Sequence, residues 1–188
     1  MSKGCLFVIS APSGAGKSTL INRIRPEFPD MLYSISCTTR SPRAGEIDGT
    51  HYYFVSREQF KSMIKNNEFL EWKEVHGNLY GTPARFVTDA IEVGRNVILD
   101  IDVEGAREVF RKFGQAIGIF ITVPEISILE QRLRERGTDS DASIRIRMMN
   151  ATGEIAMAPM FRHVVVNDDL EEAVQSLASI LRKQTCRK

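Results

Sequence analysis

The chain has 188 residues, 43% hydrophobic and 26% charged, with a formal net charge of +1. That length suggests one domain with room for small inserted lobes, and the balance excludes a disordered chain. A charge this near neutral gives no global attraction to nucleic acid or anionic lipid, so any anion site must come from locally placed arginines and backbone N–H groups.

The first apolar run, residues 5–9 (Cys-Leu-Phe-Val-Ile), reads as a buried strand and is too short for a signal peptide or a membrane span. Directly after it comes Ala11-Pro12-Ser13-Gly14-Ala15-Gly16-Lys17-Ser18, followed by Thr19 and a helical pattern over 18–25. Strand, glycine-rich loop, Lys-Ser and helix in that order form the context of a Walker A phosphate loop. Glycines let successive N–H groups point into one concavity, and the helix N-terminus adds its dipole. Lys17 would reach the β- and γ-phosphates, and the Ser18 hydroxyl would bind Mg²⁺. The motif departs from the usual pattern only at its first position, Ala11 instead of Gly.

Residues 34–82 break the rhythm. They are rich in Tyr, Thr, Gly and Arg, with strand-like pieces at 52–55 and 69–75 and a short helix at 57–65, and read as an inserted lobe. Tyr52 and Tyr53 alternate on a strand, so one of the two is expected to pack. Further apolar strands are expected at 96–99, 118–121 and 164–166, with helices at 103–113, 126–135 and 170–181. Continuously apolar strands alternating with helices imply an α/β fold with a parallel sheet covered on both faces. Leu99-Asp100-Ile101-Asp102 puts two carboxylates at the carboxyl end of one strand, where period-two alternation aims both at one face and where ligands of open α/β sheets bind. Asp100 is the Walker B-like candidate for Mg²⁺; Asp102 lines the same site or caps the following helix. Residues 134–147 are dense in charge, interrupted by Gly137, and read as a mobile flap. The three cysteines, Cys5, Cys37 and Cys186, are odd in number and match no zinc spacing, which points to a reduced, cytoplasmic setting. No metal or catalytic role falls to the isolated His51, His76 and His163.

Several further motifs occur in a telling order. Residues 36–46 read Ser-Cys-Thr-Thr-Arg-Ser-Pro-Arg-Ala-Gly-Glu, and 48–55 read Asp-Gly-Thr-His-Tyr-Tyr-Phe-Val. Then come Phe69-Leu70-Glu71-Trp72, Asn78-Leu79-Tyr80-Gly81-Thr82, residues 98–105, Arg132-Leu133-Arg134-Glu135-Arg136-Gly137-Thr138, and Val166-Asn167-Asp168-Asp169-Leu170. Over nearly its whole length the chain closely resembles the guanylate kinase family. The resemblance implies a P-loop NTPase fold: a core (1–33, 84–125 and 158–188), a GMP-binding lobe (about 34–83) and a lid (about 126–157). It implies transfer of the γ-phosphoryl group of ATP to GMP, and to dGMP, with Mg²⁺ as cofactor. Ser36, Glu71 and Thr82 resemble the guanine-reading set, joined by Asp102. Arg40, Arg43, Tyr52 and Tyr80 resemble the clamp on the GMP phosphate. Arg132, Arg136 and Arg147 resemble lid arginines that act with Lys17 and Arg40 in catalysis, and Asn167 resembles a residue near adenine. No nucleic acid or membrane partner is expected, and monomer or small homo-oligomer stays open. Two alternatives remain at this point: a non-catalytic guanylate-kinase-like interaction module, and a kinase of a phosphorylated sugar on the same scaffold.

The chemistry of the base agrees with the resemblance. Guanine presents N1–H and the N2 amino group on one edge, both donors, and a carboxylate such as Glu71 can accept from both. Adenine offers a bare N1 acceptor instead, and sites built on such hydrogen bonds discriminate by about 10⁴ or more. Paired arginines and tyrosines suit a dianionic phosphate through forked guanidinium contacts and phenolic donors.

Overall fold

The computed structural model describes residues 3–75, 77–135, 137 and 140–185. A parallel sheet of five strands forms the centre, in the order β2-β7-β1-β8-β9. These are β1 (Leu6–Ser10), β2 (Leu32–Tyr33), β7 (Val97–Asp100), β8 (Ile117–Thr122) and β9 (His163–Val166). The strands expected at 5–9, 96–99, 118–121 and 164–166 are all present, within a residue of their expected ends.

Their continuous apolar character has a direct cause. Alternate residues of β1 enter two different cores: Phe7 and Ile9 pack on one face with Ile98, Ile119 and Ile121, while Leu6 and Val8 pack on the other with Val97, Leu99 and Phe120. Helices cover both faces. On the first lie α1 (Lys17–Ile24) and α7 (Leu170–Thr185), with Leu20, Ile24, Leu177 and Leu181 buried against the sheet. On the second lie α3 (Ala84–Glu92) and α4 (Val103–Lys112), through Val87, Val103, Ala106 and Val109. Full burial of each such side chain is worth about 1.5–3 kcal/mol, so covering both faces supplies most of the drive for this fold.

A second, four-stranded sheet has the order β4-β3-β6-β5. Its strands are β3 (Cys37–Thr38), β4 (Tyr53–Phe54), β5 (Phe69–Val75) and β6 (Asn78–Pro83), all drawn from the stretch that interrupts the strand–helix rhythm. Helix α2 (Arg57–Lys65) closes it with a small core of its own, Cys37, Phe60, Phe69 and Leu79, in which Phe60 stacks on Phe69 at 4.4 Å. A capping box starts that helix: the Ser56 hydroxyl accepts the Gln59 N–H, and the Gln59 side chain returns to the Ser56 N–H.

Two features differ from expectation. Residues 141–156, of which 141–147 fall in the stretch read as a flap, form a sixteen-residue helix, α6 (Asp141–Ala156), after α5 (Ile126–Glu135). Ser140 caps it by accepting the Ser143 N–H at 3.2 Å. Ile144, Met148, Ala151 and Ile155 turn inward along it, but Ile146 and Met149 are apolar and exposed on its other faces, so the apolar pattern singles out no one face by which a helix is recognised. Helix α3 was not expected either: it is as short as α2 but begins after Pro83 with no side-chain cap, so the start signal that marks α2 is missing. No helix among the described residues is long and apolar enough to cross a membrane.

Candidate active site

The glycine-rich loop leaves β1 at its carboxyl end and turns through Gly14 (φ 92°) and Gly16 (φ 88°) into α1. Both angles are left-handed, a region in which a Cβ is strained. Gly16 is also sterically confined: a Cβ there would lie 2.4 Å from the Asn167 amide nitrogen, which donates to the Ala15 carbonyl at 2.7 Å. Gly16 offers α1 no side-chain cap, so the first N–H groups of that helix stay open to an anion.

Beside this loop, Lys17 Nζ bonds Asp100 Oδ1 at 2.6 Å and the Ile101 carbonyl at 3.1 Å. The phosphate-loop lysine and the Walker B-like carboxylate, from neighbouring strands of the sheet, thus meet beyond its carboxyl edge. Ser18 and Thr19 lie exposed on the first turn of α1. A cavity of about 620 Å³ above the loop is lined by Ala11, Pro12, Ser13, Gly14, Gly16, Lys17, Ser18, Thr19, Arg132, Leu133 and Glu154. Arg132 reaches the Asn167 carbonyl at 3.1 Å, and Arg147 reaches the Ser13 hydroxyl at 3.2 Å. Both arginines, one on α5 and one on α6, therefore touch the loop or its brace. Arg136 lies outside the described residues.

A second cavity, of about 370 Å³, shares Lys17 and Ser18 with the first. Its walls carry Ser36, Tyr52, Glu71, Lys73, Tyr80, Asp100 and Asp102. Glu71 is 8% exposed, and Thr82, opposite it in the β5–β6 pairing, donates its hydroxyl to Glu71 Oε1 at 2.5 Å. Burial raises the Glu71 carboxyl above its ordinary pKa, and the Thr82 hydroxyl offsets part of that rise. Tyr52 faces the cavity with its ring edge-on to Tyr80, centroids 6.1 Å apart, while Tyr53 points outward.

Arg40 stands over the Tyr52 ring at 5.6 Å and is held by both oxygens of Glu46, at 2.8 and 2.9 Å. The Arg40 guanidinium, with the Arg43 backbone N–H at 2.6 Å, brings the Glu46 carboxyl down to about 2. Arg43 contributes that N–H; its side chain is exposed and borders neither cavity.

One placement differs from the sequence reading. Strand β7 ends at Asp100, so strand alternation does not govern Asp102. Asp102 is instead the N-cap of α4, accepting the Gly105 N–H at 2.9 Å, and pairs with Lys73 across the cavity. Asn167 is buried, with its amide nitrogen donating to the Ala15 carbonyl of the phosphate loop. Sequence reasoning gave no role to Glu46, Lys73 or Glu154, all of which border the site. Glu46 ends the run of residues 36–46, but no spacing marks it as the partner of Arg40. Glu154 follows no pattern; its Oε2 is buried without a partner among the described residues, and burial raises its carboxyl pKa while the Ser13 N–H lowers it.

Glu71 carries a stability prediction with a definite sign. A carboxyl whose pKa rises on folding adds stability that is full at acid pH and lost as pH rises through the folded pKa. Glu71→Gln removes that loss. Without nucleotide, the variant should melt above the parent at neutral pH, with the gap closing as pH falls through the acidic range. A gap independent of pH would mean that burial does not strain this carboxylate.

A phosphate loop at the switch of a parallel sheet, an adjoining polar cavity built by an inserted sheet, and arginines converging from two further elements define a P-loop phosphotransferase that holds two anionic substrates side by side. The guanylate kinase family profile matches residues 3–184. A guanylate kinase of Carboxydothermus hydrogenoformans is 52% identical over 96% of this chain and 89% of its own length. One from Desulfitobacterium hafniense is 46% identical over 98% and 92%. The crystal structure of guanylate kinase from Anaplasma phagocytophilum superposes with a TM-score of 0.79 at 32% identity, covering 100% of this chain and 89% of that one. The chain belongs to the guanylate kinase family.

Proposed function

We propose that the two joined cavities carry the family's reaction in this chain, with ATP over the phosphate loop and GMP in the inner cavity. The chain is an ATP:GMP phosphotransferase, and the observation that supports this division of the cleft is the shared wall. Lys17 and Ser18 border both cavities, so a γ-phosphoryl group held by the loop would face a phosphate held beside Tyr52 and Tyr80. Glu71, backed by Thr82 and joined by Ser36 and Asp102, reads the guanine edge. Tyr52, Tyr80, Arg40 and Arg43 hold the GMP phosphate. Arg132, Arg147 and Arg136 neutralise charge on the ATP side, and Asn167 acts by bracing the loop next to the adenine side. dGMP is accepted as well, since none of these contacts calls for a 2′-hydroxyl.

The donors fit Mg²⁺. Ser18 and Asp100 offer only oxygen, the ligand type of a hard divalent cation. No group of three or more His, Cys, Asp or Glu among the described residues could hold a metal, so the nucleotide phosphates must supply most of its ligands. When bound, Mg²⁺ spreads charge off the phosphates. Lys17 does the same from the protein side and must loosen its hold on Asp100 to do so. An oxygen of the GMP phosphate attacks the γ-phosphorus in line; that P–O bond forms as the bond to the β,γ-bridging oxygen breaks, releasing ADP and GDP. No general base is required, because the nucleophile is already anionic at neutral pH. Water is excluded by closure of the lobe of residues 34–83 and the lid of residues 126–157 over the core. This setting is cytoplasmic, where both nucleotides are abundant.

A coupled assay of ATP consumption with GMP, dGMP, AMP and UMP, with Mg²⁺ and with excess chelator, tests this reading. Strong preference for the guanine nucleotides and loss of turnover with chelator are expected; equal use of AMP would refute the base assignment. Closure has its own test, because each ligand shifts an equilibrium only by its differential affinity for the closed form. The radius of gyration should fall partly with GMP and further with GMP plus a non-hydrolysable ATP analogue. An unchanged radius across the three states would remove the closure step and leave the chemistry.

A further inference from the structure

Helix α4 carries a glycine, Gly105, in its first turn. Alanine is the better helix former at such a position, because glycine gives up more backbone freedom on folding. Backbone geometry does not call for glycine here, since Gly105 is absent from the residues with positive φ. What calls for it is a neighbour. A Cβ at 105 would lie 3.0 Å from Glu71 Oε2, 3.2 Å from its Cδ and 3.4 Å from its Cγ. The whole end of the Glu71 side chain rests on the bare face of that glycine.

Glu71 has little freedom to withdraw. Its other oxygen receives the Thr82 hydroxyl. The two elements are fastened together on either side of the contact. Toward one end, Lys112 of α4 bonds the Leu70 carbonyl and, at 3.3 Å, the Phe69 carbonyl of β5. Toward the other, Asp102 at the start of α4 pairs with Lys73 of β5. Gly153, also helical, has nothing within 4 Å of where its Cβ would stand, so glycine in a helix of this protein does not always mark a close approach.

We propose that Gly105 is a specificity-determining residue: the absence of its Cβ gives the Glu71 carboxylate the place from which it reads guanine. This rests on the assignment of Glu71 as the base reader. A side chain at 105 would push the carboxylate toward the cavity and off the line of two hydrogen-bond donors, while leaving the phosphate loop as it is. Gly105 touches no substrate; it acts through Glu71.

The test is steady-state kinetics, with melting curves, on Gly105→Ala, Glu71→Gln, Glu71→Asp, the Gly105→Ala/Glu71→Asp pair and Gly114→Ala. Displacements of a few tenths of an ångström at a reading group should raise the KM for GMP in Gly105→Ala by about tenfold. The KM for ATP should stay within about twofold, because the loop is untouched. Aspartate is one methylene shorter and leaves space for a Cβ at 105, so adding Gly105→Ala to Glu71→Asp should change the KM for GMP little, where independent effects would multiply. Gly114→Ala, at which a Cβ also meets nothing within 4 Å, should keep the parent KM for GMP. The proposal is overturned if Gly105→Ala matches the parent, if both KM values rise together with a lowered melting temperature, or if the two changes multiply. Loss of base choice in Glu71→Gln beside a silent Gly105→Ala would overturn this inference alone; unchanged base choice in Glu71→Gln would overturn the base-reading assignment itself.

Discussion

Lys17→Ala is expected to lower kcat by about 10²–10³-fold, the range seen when one preorganised donor to a developing charge is removed. Lys17 sits where the loop, Asp100 and both cavities converge. Its positive charge is the element of the site placed to stay with the phosphoryl group throughout transfer. The fold should survive the change. Lys17 and Asp100 are 21% and 38% exposed, so Asp100 regains water when its partner is lost, and a pair this accessible contributes at most about 1 kcal/mol. For a chain of this length that is a melting shift of about 2–4 °C. Coupled turnover with ATP and GMP, with a melting curve on the same sample, checks both halves. Near-parental turnover would remove Lys17 from the chemistry; loss of the folded state would make the activity result uninformative about charge and assign Lys17 to the fold.

Glu71→Gln is expected to act on base choice. The amide oxygen accepts one of guanine's two donors, and the amide N–H₂ then faces the other. Leaving a donor unpaired in a buried site costs about 1–3 kcal/mol, so kcat/KM for GMP should fall by about 10–100-fold. Adenine gains what guanine loses, since the amide can donate to N1. The AMP-to-GMP ratio of kcat/KM should therefore rise by more than GMP use falls. Measuring kcat/KM for both nucleotides decides it. An unchanged ratio would show that Glu71, although buried in the cavity wall, does not read the base.

Much of the fold can be traced to short-range pattern. Strands β1, β7 and β8 declare themselves because both their faces are covered and their inner positions are almost all apolar: Phe7 and Ile9 feed one core while Leu6 and Val8 feed the other. The loop between β1 and α1 is legible for a related reason, since glycine spacing, Lys17 and Ser18 are fixed by local backbone geometry. Helix α6 was illegible because its inward residues, Ile144, Met148, Ala151 and Ile155, are matched by exposed apolar residues, Ile146 and Met149, on its other faces. Its sequence therefore shows no contrast between a core face and a solvent face. Within the site, Lys17, Ser18, Ser36, Tyr52, Glu71, Tyr80, Asp100 and Arg132 line adjoining cavities, while Arg40 and Arg43 do not, and the partners of all of them follow from tertiary contact. Nothing in the spacing of Arg40 and Glu46 announces a two-pronged ion pair. Nor could the sequence say that Asn167 would bond the Ala15 carbonyl across 152 positions. Asp102 was ambiguous between lining and capping, and the early end of β7 resolves it as a cap that still borders the cavity.

The central claim is that one cleft holds GMP against Glu71 and ATP against the phosphate loop, with Lys17 between them. The measurement that tests it most directly is a crystal structure with GMP, Mg²⁺ and a non-hydrolysable ATP analogue. The expected result has the Glu71 carboxylate about 2.6–3.2 Å from guanine N1 and N2, and Lys17 moved from Asp100 onto the β- and γ-phosphates. Guanine bound out of reach of Glu71, or GMP with its phosphate turned away from Tyr52 and Tyr80, would contradict it.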